Sequence, residues 1–214
     1  MRITRTFFCS ILLASSLLIA GCGRKSKEKL YRELLQDAAQ LQAEGNLASE
    51  ESLDGVIDRF DLFITEHPKN AHVEELRQKR GALADQRDKC RLFRIRNQYE
   101  LITSDTGHSI EEILKNTHNL LVILKTSEAQ TLLNKYPNAK VYEPDLLEFR
   151  DEIQAIEAIA TSSYSSLKEF NEEVEARQSR FEQSRFSSIP TLWEKHTDAK
   201  RKKLINMEIE RAID

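Results

Sequence analysis

The sequence is poor in glycine and proline, with six and four of these residues in 214, against typical usage of about 7% and 5%. Such scarcity excludes a collagen-like chain and a Pro/Gly-rich disordered polymer, and it argues against a many-turned β-sandwich or barrel. A formal net charge of −3 lacks the basic excess of a general nucleic-acid-binding protein. We therefore expect a helical body with no nucleic-acid partner.

Long apolar runs are absent except near the N-terminus. Behind Arg2 and Arg5, residues 7–20 form an uncharged and mostly apolar stretch of 14 residues. This stretch is shorter than the roughly 20 residues of a membrane-spanning helix, and a basic start followed by such a run is typical of a secretory signal peptide. The longest apolar run elsewhere is the five residues 120–124.

The end of this stretch carries a more specific motif. Ile19, Ala20, Gly21 and Cys22 resemble the lipobox of bacterial lipoproteins, in which an aliphatic and two small residues precede the cysteine. The resemblance implies that 1–21 is a lipoprotein signal peptide, that Cys22 is lipidated, and that the membrane is a partner. Gly23 replaces the Asp that resembles an inner-membrane retention signal, which implies the outer membrane facing the periplasm. An ordinary signal peptide with a chance cysteine is the alternative.

The three cysteines have separate expected fates. Cys9 falls in the signal peptide and Cys22 in the lipobox, which leaves Cys90 alone. No intramolecular disulfide is then expected. Because free cysteine packs as a small hydrophobe, we expect Cys90 to be buried on a helix. Residues 22–29 are interpreted as a short lipidated tether.

Apolar residues at helical spacing dominate from residue 28 onward and predict an all-α fold. Stripes at 30–41 and 53–64 predict two helices, and a longer one at 73–102 predicts a third, closed by the turn-rich residues 104–107. Ser109 and Ser127, each with Glu or Gln three residues later, are typical capping boxes that would start further helices. Residues 30–140 are expected to form antiparallel helical hairpins.

Two similar short segments suggest an internal repeat. Residues 63–68 and 132–137 both have two apolar residues, two polar ones, a ring and then proline, separated by 69 residues. That separation is close to twice the tetratricopeptide period of ~34 residues. On these residues the chain resembles tetratricopeptide-like periplasmic lipoproteins, such as the helical-repeat lipoprotein of the outer-membrane β-barrel assembly complex. Asp54, Gly55 and Asp61 depart from the Ala-rich face expected of that family.

Residues 141–214 are expected to form long coiled-coil-like helices. Eleven positions between 146 and 181 alternate spacings of three and four, which is typical of a bundle seam. Ser166 with Glu169 would cap a new helix inside this seam, but we favour one long helix or a kinked pair of helices over two helices separated by a true turn. A last helix from Pro190 is expected to fold back on the seam. The seam positions are Leu146, Phe149, Ile153, Ile156, Ala160, Ser163, Leu167, Phe170, Val174, Arg177 and Phe181.

No grouping of residues predicts an enzyme, a metal site or a cofactor. Gly-rich phosphate loops, Gly-x-Ser-x-Gly and HExxH are missing. The five histidines are expected at the surface or in turns: His67, His72, His108, His118 and His196.

Basic residues are concentrated between 77 and 96, where the local charge is +6. Their spacing places five arginines on one helix face, which is interpreted as a solvated face, as a partner for the acidic segment 143–157, or as a site for an anionic ligand. Trp193 is expected in the core, with surface binding as the alternative. The candidate partner-binding residues are Arg77, Arg80, Arg87, Arg91, Arg94 and Trp193.

These patterns together predict a lipid-anchored envelope scaffold or adaptor that acts through protein–protein contacts, in outer-membrane assembly or maintenance. The first alternative is a structural or spacer lipoprotein that self-associates through the 146–181 seam. The second is a protein that binds envelope glycan or anionic lipid through the basic helix face.

Overall fold

The chain is helical throughout the described residues, 26–137 and 142–213, of a computed structural model, with no strand in these ranges. The predicted all-α fold of helical hairpins is confirmed. The signal peptide and Cys22 lie outside the described residues. The helices are α1 (Lys27–Glu44), α2 (Glu50–Glu66), α3 (Val73–Thr103), α4 (Ile110–Leu124), α5 (Ser127–Lys135), α6 (Tyr142–Thr161), α7 (Leu167–Glu182) and α8 (Ser188–Ile213), with a 3₁₀ turn (Gly45–Leu47) after α1.

Helix starts follow the predicted capping residues closely. Ser109 and Ser166 each accept a hydrogen bond from the backbone N–H three residues later, at 3.2 Å, which satisfies a donor that the helix leaves unpaired. At α5 the prediction is wrong by one residue. Thr126 rather than Ser127 is the cap, and its hydroxyl accepts from Ala129 N at 3.3 Å.

The two similar segments, 63–68 and 132–137, have the same local backbone geometry. α2 and α5 both end one residue before a ring residue that precedes proline, and that residue leaves the helical region: His67 at φ −132° and ψ 53°, Tyr136 at φ −122° and ψ 77°. Proline disfavours helical backbone in the residue before it. The interval between the segments, however, holds α3 with 31 residues, followed by α4 and α5, rather than the four short helices of two tetratricopeptide repeats.

The chain divides into two compact units between Cys90 and Arg91, inside α3. In the first unit, Tyr31 Oη on α1 donates to Glu75 Oε2 on α3 at 2.6 Å. Further along both helices, Gln86 Nε2 donates to the carbonyl of Gly45 at 2.9 Å. α1 and the first half of α3 therefore run parallel.

The core of this unit is made by the predicted apolar stripes. Gly45 ends α1 at φ 57°, a conformation that glycine adopts without a Cβ penalty. Cys90 is buried as expected, and its thiol faces the Gly45 carbonyl at 3.6 Å. The buried residues are Tyr31, Leu34, Ala38, Leu41, Ala48, Leu53, Val56, Ile57, Phe60, Phe63, Leu76, Leu83 and Cys90.

The second unit packs α8 against α6 and α7 and α4 against α6, so the final helix folds back on the seam as predicted. The seam residues Phe149, Ile153, Phe170 and Phe181 are completely buried. One cluster contains Ile110, Ile113, Phe149, Ile153, Ile156, Ile159, Phe170, Val174, Phe181, Phe186, Ile189, Leu192, Trp193 and Leu204. A second contains Ile95, Leu120, Leu121, Leu124, Leu132, Leu133 and Leu146.

The favoured prediction of a long helix or a kinked pair over the seam was wrong, because α6 ends at Thr161 and α7 begins at Leu167, with five residues between them. The hydroxyls of Thr161 and Ser162 bond back to carbonyls of α6, at 2.8 and 2.6 Å. Glu169 then accepts from both the N–H and the hydroxyl of Ser165. Side chains that hydrogen-bond the local backbone compete with helix continuation, and here they hold a turn.

No helix within the described ranges is both long enough and apolar enough to cross a membrane.

Candidate functional site

A cleft of about 630 Å³ lies in the second unit between the C-terminal turns of α3 and the facing side of α4. α3 contributes Gln98 and Leu101 to its walls, and α4 contributes Asn116, Asn119 and Ile123. Positions three, four and seven apart share one helix face, so each wall is a single face. The loop 104–108 forms the third side.

Aliphatic side chains are unusually exposed around this cleft. Leu101 is 71% exposed and Ile123 is 41% exposed, and both line the cleft. Below them Leu120 is 1% exposed and belongs to the core. Clustered apolar exposure of this kind marks interaction surfaces more often than scattered single residues do.

Three carboxamide side chains line the same cleft without internal partners. Gln98, Asn116 and Asn119 make no side-chain hydrogen bond to any other described residue. Each carboxamide offers two N–H donors and an acceptor oxygen. The walls therefore carry exposed aliphatic side chains next to carboxamides that can both donate and accept hydrogen bonds.

The loop that closes the cleft holds its own charges in a compensated pair. Asp105 Oδ1 accepts from the N–H groups of Gly107 and His108 at 2.9 and 3.1 Å, and Oδ2 contacts His108 Nδ1. Burial alone would raise the pKa of Asp105, but these hydrogen bonds outweigh it and lower the pKa. The same bond to Asp105 raises the pKa of His108. Both shifts favour the charged forms, so the two groups form an ion pair whenever His108 is protonated.

The predicted arginine face is largely engaged inside the first unit. Arg80 binds Asp61 with two nitrogens, Nε at 3.1 Å and Nη2 at 3.0 Å. One heptad further on, Arg87 Nη1 binds Asp54 at 2.8 Å. Arg77 contacts Glu74 on its own helix at 3.5 Å. Because both aspartates lie on α2, these contacts form a two-rung ladder between antiparallel helices α2 and α3.

Arg80 and Arg87 therefore pair with α2 and not with segment 143–157, the partner that the sequence suggested for the basic face. In that segment Asp145 and Glu148 instead pair with Arg185, which precedes α8. Arg91 and Arg94, the remaining candidates of the basic face, are not free of partners either.

Trp193 lies in the core of the second unit, as the favoured interpretation expected. It is 4% exposed, and its ring stacks on Phe181 with centroids 4.4 Å apart and planes 21° apart. Such burial leaves little of its surface for a partner.

The histidines are dispersed through the fold. His67 ends α2, His108 pairs with Asp105, and His72 stacks on Tyr31 at 3.9 Å between ring centroids. His196 is half-buried rather than exposed, and its Nε2 has no partner among the described residues. Within the same ranges, no three His, Cys, Asp or Glu side chains are grouped to hold a metal ion.

Sequence reasoning missed the cleft, although one signal was available. Five consecutive apolar residues at 120–124 on a helix cannot all face one core, because successive side chains turn by about 100°. Leu120 and Leu124 are buried while Val122 and Ile123 are exposed. The carboxamides gave no signal, since Gln and Asn are ordinary on solvated helix faces.

No family model, no curated protein and no solved structure matches this chain.

Proposed function

We propose that the protein is a lipid-anchored scaffold or adaptor of the bacterial envelope, which holds partner proteins through its helical body in outer-membrane assembly or maintenance. The observation that carries this proposal is the cleft between α3 and α4, where Leu101 and Ile123 remain exposed beside a closed core. The lipobox at Ile19–Cys22 supports the anchor.

The start of the fold suits a short anchor. α1 begins at Lys27, five residues after Cys22, with Ser26 as its cap, so an extended connection spans at most about 18 Å. The bond from Tyr31 to Glu75 fixes the first turn of α1 on α3. Lipidated Cys22 would thus lead almost directly into a helix that the core of the first unit holds in place.

The buried seam favours an adaptor over the self-associating spacer. Phe149, Phe170 and Phe181 are fully buried in the core of the chain itself, so they are not available to a second copy. Binding of glycan or anionic lipid through the basic face is also less favoured. Arg80 and Arg87 already neutralise Asp61 and Asp54.

The anchor is tested by Cys22→Ser in the cells that produce the protein, with Cys90→Ser as the matched control. We expect Cys22→Ser to leave the membrane fraction and to lose the acyl mass, while Cys90→Ser retains both. Wild-type protein without an acyl group on Cys22 would contradict the anchor.

The adaptor role is tested by in vivo crosslinking of Ile123→Asp against Val122→Asp. Both changes place a carboxylate on α4, but only Ile123 lines the cleft. We expect Ile123→Asp to lose crosslinked proteins that wild type and Val122→Asp retain. Equal crosslinking by all three proteins would remove the cleft from the proposal.

A further inference from the structure

We infer that the cleft binds an uncharged, aliphatic segment of a partner protein in extended conformation, with the partner's main-chain amides bonded to the carboxamides of Gln98, Asn116 and Asn119. This inference rests on the proposed adaptor function and specifies its partner. Three properties of the cleft support it: the exposed apolar side chains, the hydrogen-bonding groups and the charge.

The apolar contact comes from both walls. Leu101 on α3 is 71% exposed and Ile123 on α4 is 41% exposed, and both line the cleft. An aliphatic side chain placed between them would cover both at once. Burial of apolar area is favourable, so a ligand gains most by carrying aliphatic side chains to this point.

The hydrogen-bonding groups match a peptide unit. Carboxamides both donate and accept, as does each main-chain amide, and the three in the cleft have no partner within the described residues. A helical ligand has already used its main-chain groups in its own hydrogen bonds, apart from those at its ends. An extended segment leaves them available, and alternate side chains then enter the cleft while main-chain groups face the walls.

The charge of the cleft disfavours charged ligands. The chain is 31% Asp, Glu, Lys and Arg, yet Asp105 is the one such residue lining this cleft in the described structure, and it contacts His108. A charged ligand would lose water, and the Asp105 carboxylate is already engaged by two loop N–H groups and His108. None of the lining residues that the structure describes is aromatic apart from the His108 imidazole, so the cleft lacks a broad face on which sugar rings stack.

The size is compatible with a short segment. The volume of about 630 Å³ lies within the roughly 300–1,000 Å³ typical of ligand pockets, although this cleft is open along one side. Because only a few residues can be covered, we expect micromolar or weaker affinity, which is suitable for a reversible contact.

The test uses the full mature lipoprotein in nanodiscs and two libraries of octapeptides, N-acetylated and C-amidated. The first contains Ala, Leu, Val, Ser and Asn. In the second, Lys and Glu replace Ser and Asn. A third preparation carries N-methyl groups on the amides of the first library's best binder. We expect fluorescence polarisation to show binding of the first library, at least tenfold weaker binding of the second, and loss of binding on N-methylation.

Variants locate the site. Ile123→Asp and Asn119→Asp should weaken the neutral peptide at least tenfold, while Val122→Asp stays within twofold of wild type. Asn119→Asp keeps the side-chain shape but loses the donors, and thermal unfolding by circular dichroism verifies that each variant is folded. Equal binding of the charged or N-methylated peptides would overturn the inference, as would helix formation by the bound peptide.

Other occupants give distinct results. Concentration-dependent self-association that Ile123→Asp abolishes would assign the cleft to a second copy, and binding of envelope glycan there would assign it to sugar. Either result overturns the inference. If no neutral peptide binds but Ile123→Asp still loses its crosslinks in cells, the inference fails and the adaptor function stands. If the peptide binds while crosslinking is unchanged, the inference stands and the adaptor function fails.

Discussion

Replacement of Phe181 by Ala should destabilise the second unit by about 4 kcal/mol. The ring is completely buried and stacks on Trp193 with centroids 4.4 Å apart. Truncation of a buried Phe to Ala costs about 3–5 kcal/mol, of which about 0.5–1.5 kcal/mol belongs to the aromatic pair. Phe170 and Ile189 of the same cluster are also fully buried, so the vacated space lies in a closely packed core, and the Arg180 guanidinium over the ring, 5.5 Å from its centroid, is a poor substitute for the lost apolar contact.

The molecule contains its own probe for this change. Trp193 is the single tryptophan of the chain, so its fluorescence reports on the core that Phe181 occupies. With a urea slope of about 2 kcal/mol per M, a loss of 4 kcal/mol lowers the midpoint of the fluorescence transition by about 2 M.

Glu175→Ala is the matched control, since Glu175 is exposed on the same helix, α7. A surface substitution of this kind should change stability by less than about 0.5 kcal/mol. The packing argument is refuted if Phe181→Ala lowers the midpoint by less than about 0.5 M, which is 1 kcal/mol at this slope. A shift of equal size in Glu175→Ala would refute it as well.

Two electrostatic predictions concern the first unit. A double-mutant cycle of Asp54→Ala and Arg87→Ala should give a coupling of about 0.5–1 kcal/mol in urea unfolding, because Asp54 is 41% exposed and solvent screens the pair; a coupling indistinguishable from zero would contradict the ladder. The hydrogen bond to Glu75, followed by burial, raises the pKa of Tyr31 to about 12, so its contribution to stability should be complete below pH 10 and disappear as the pH rises through 12. The stability difference between wild type and Tyr31→Phe, measured by urea unfolding from pH 8 to 12, should shrink over that window, and a constant difference would exclude the bond.

Local signals predicted the helices well, because each depends on a few neighbouring residues. Ser109 and Ser166 cap helices where a hydroxyl oxygen can reach the N–H three residues on. Pro68 and Pro137 follow helix ends because proline restricts the residue before it. Apolar stripes at helical spacing then identified most of the core.

The break at 162–166 was mispredicted because two valid signals disagreed. The apolar spacing across residues 146–181 favoured continuity, while the serine-rich segment favoured a cap. The spacing of apolar residues indicates which residues are buried, but it does not show whether they lie on one helix or on two. Phe149 and Phe170 pack in one core although they belong to two separate helices. The hydrogen bonds of the Thr161, Ser162 and Ser165 hydroxyls favour a turn over a continuous helix at this point.

Apart from the apolar run at 120–124, the cleft gave no signal in the sequence, because its character depends on which helix faces stay uncovered. Gln98 and Asn119 look like ordinary solvated positions, and Leu101 is a single apolar residue next to the predicted core position Ile102. Only the packing of the second unit shows that Leu101 stays exposed while the adjacent Ile102 is partly buried against two core clusters. A site that is defined by solvent-exposed apolar residues, and not by reactive groups, is difficult to recognise in a single sequence.

The arginine ladder, by contrast, was implicit in the spacing. The pairs Asp61–Arg80 and Asp54–Arg87 are both centred on the turn between residues 70 and 71, as antiparallel helices joined there require. The two aspartates are seven residues apart, and so are the two arginines. Both ion pairs therefore lie on one face of the hairpin. The aspartates that depart from the Ala-rich face of the resembled repeats therefore have a physical reason to be there. An Ala at position 61 would leave Arg80 without its carboxylate, and an Ala at position 54 would leave Arg87 with Asp88 of its own helix alone. In either case the two helices would lose an ion pair that favours this register.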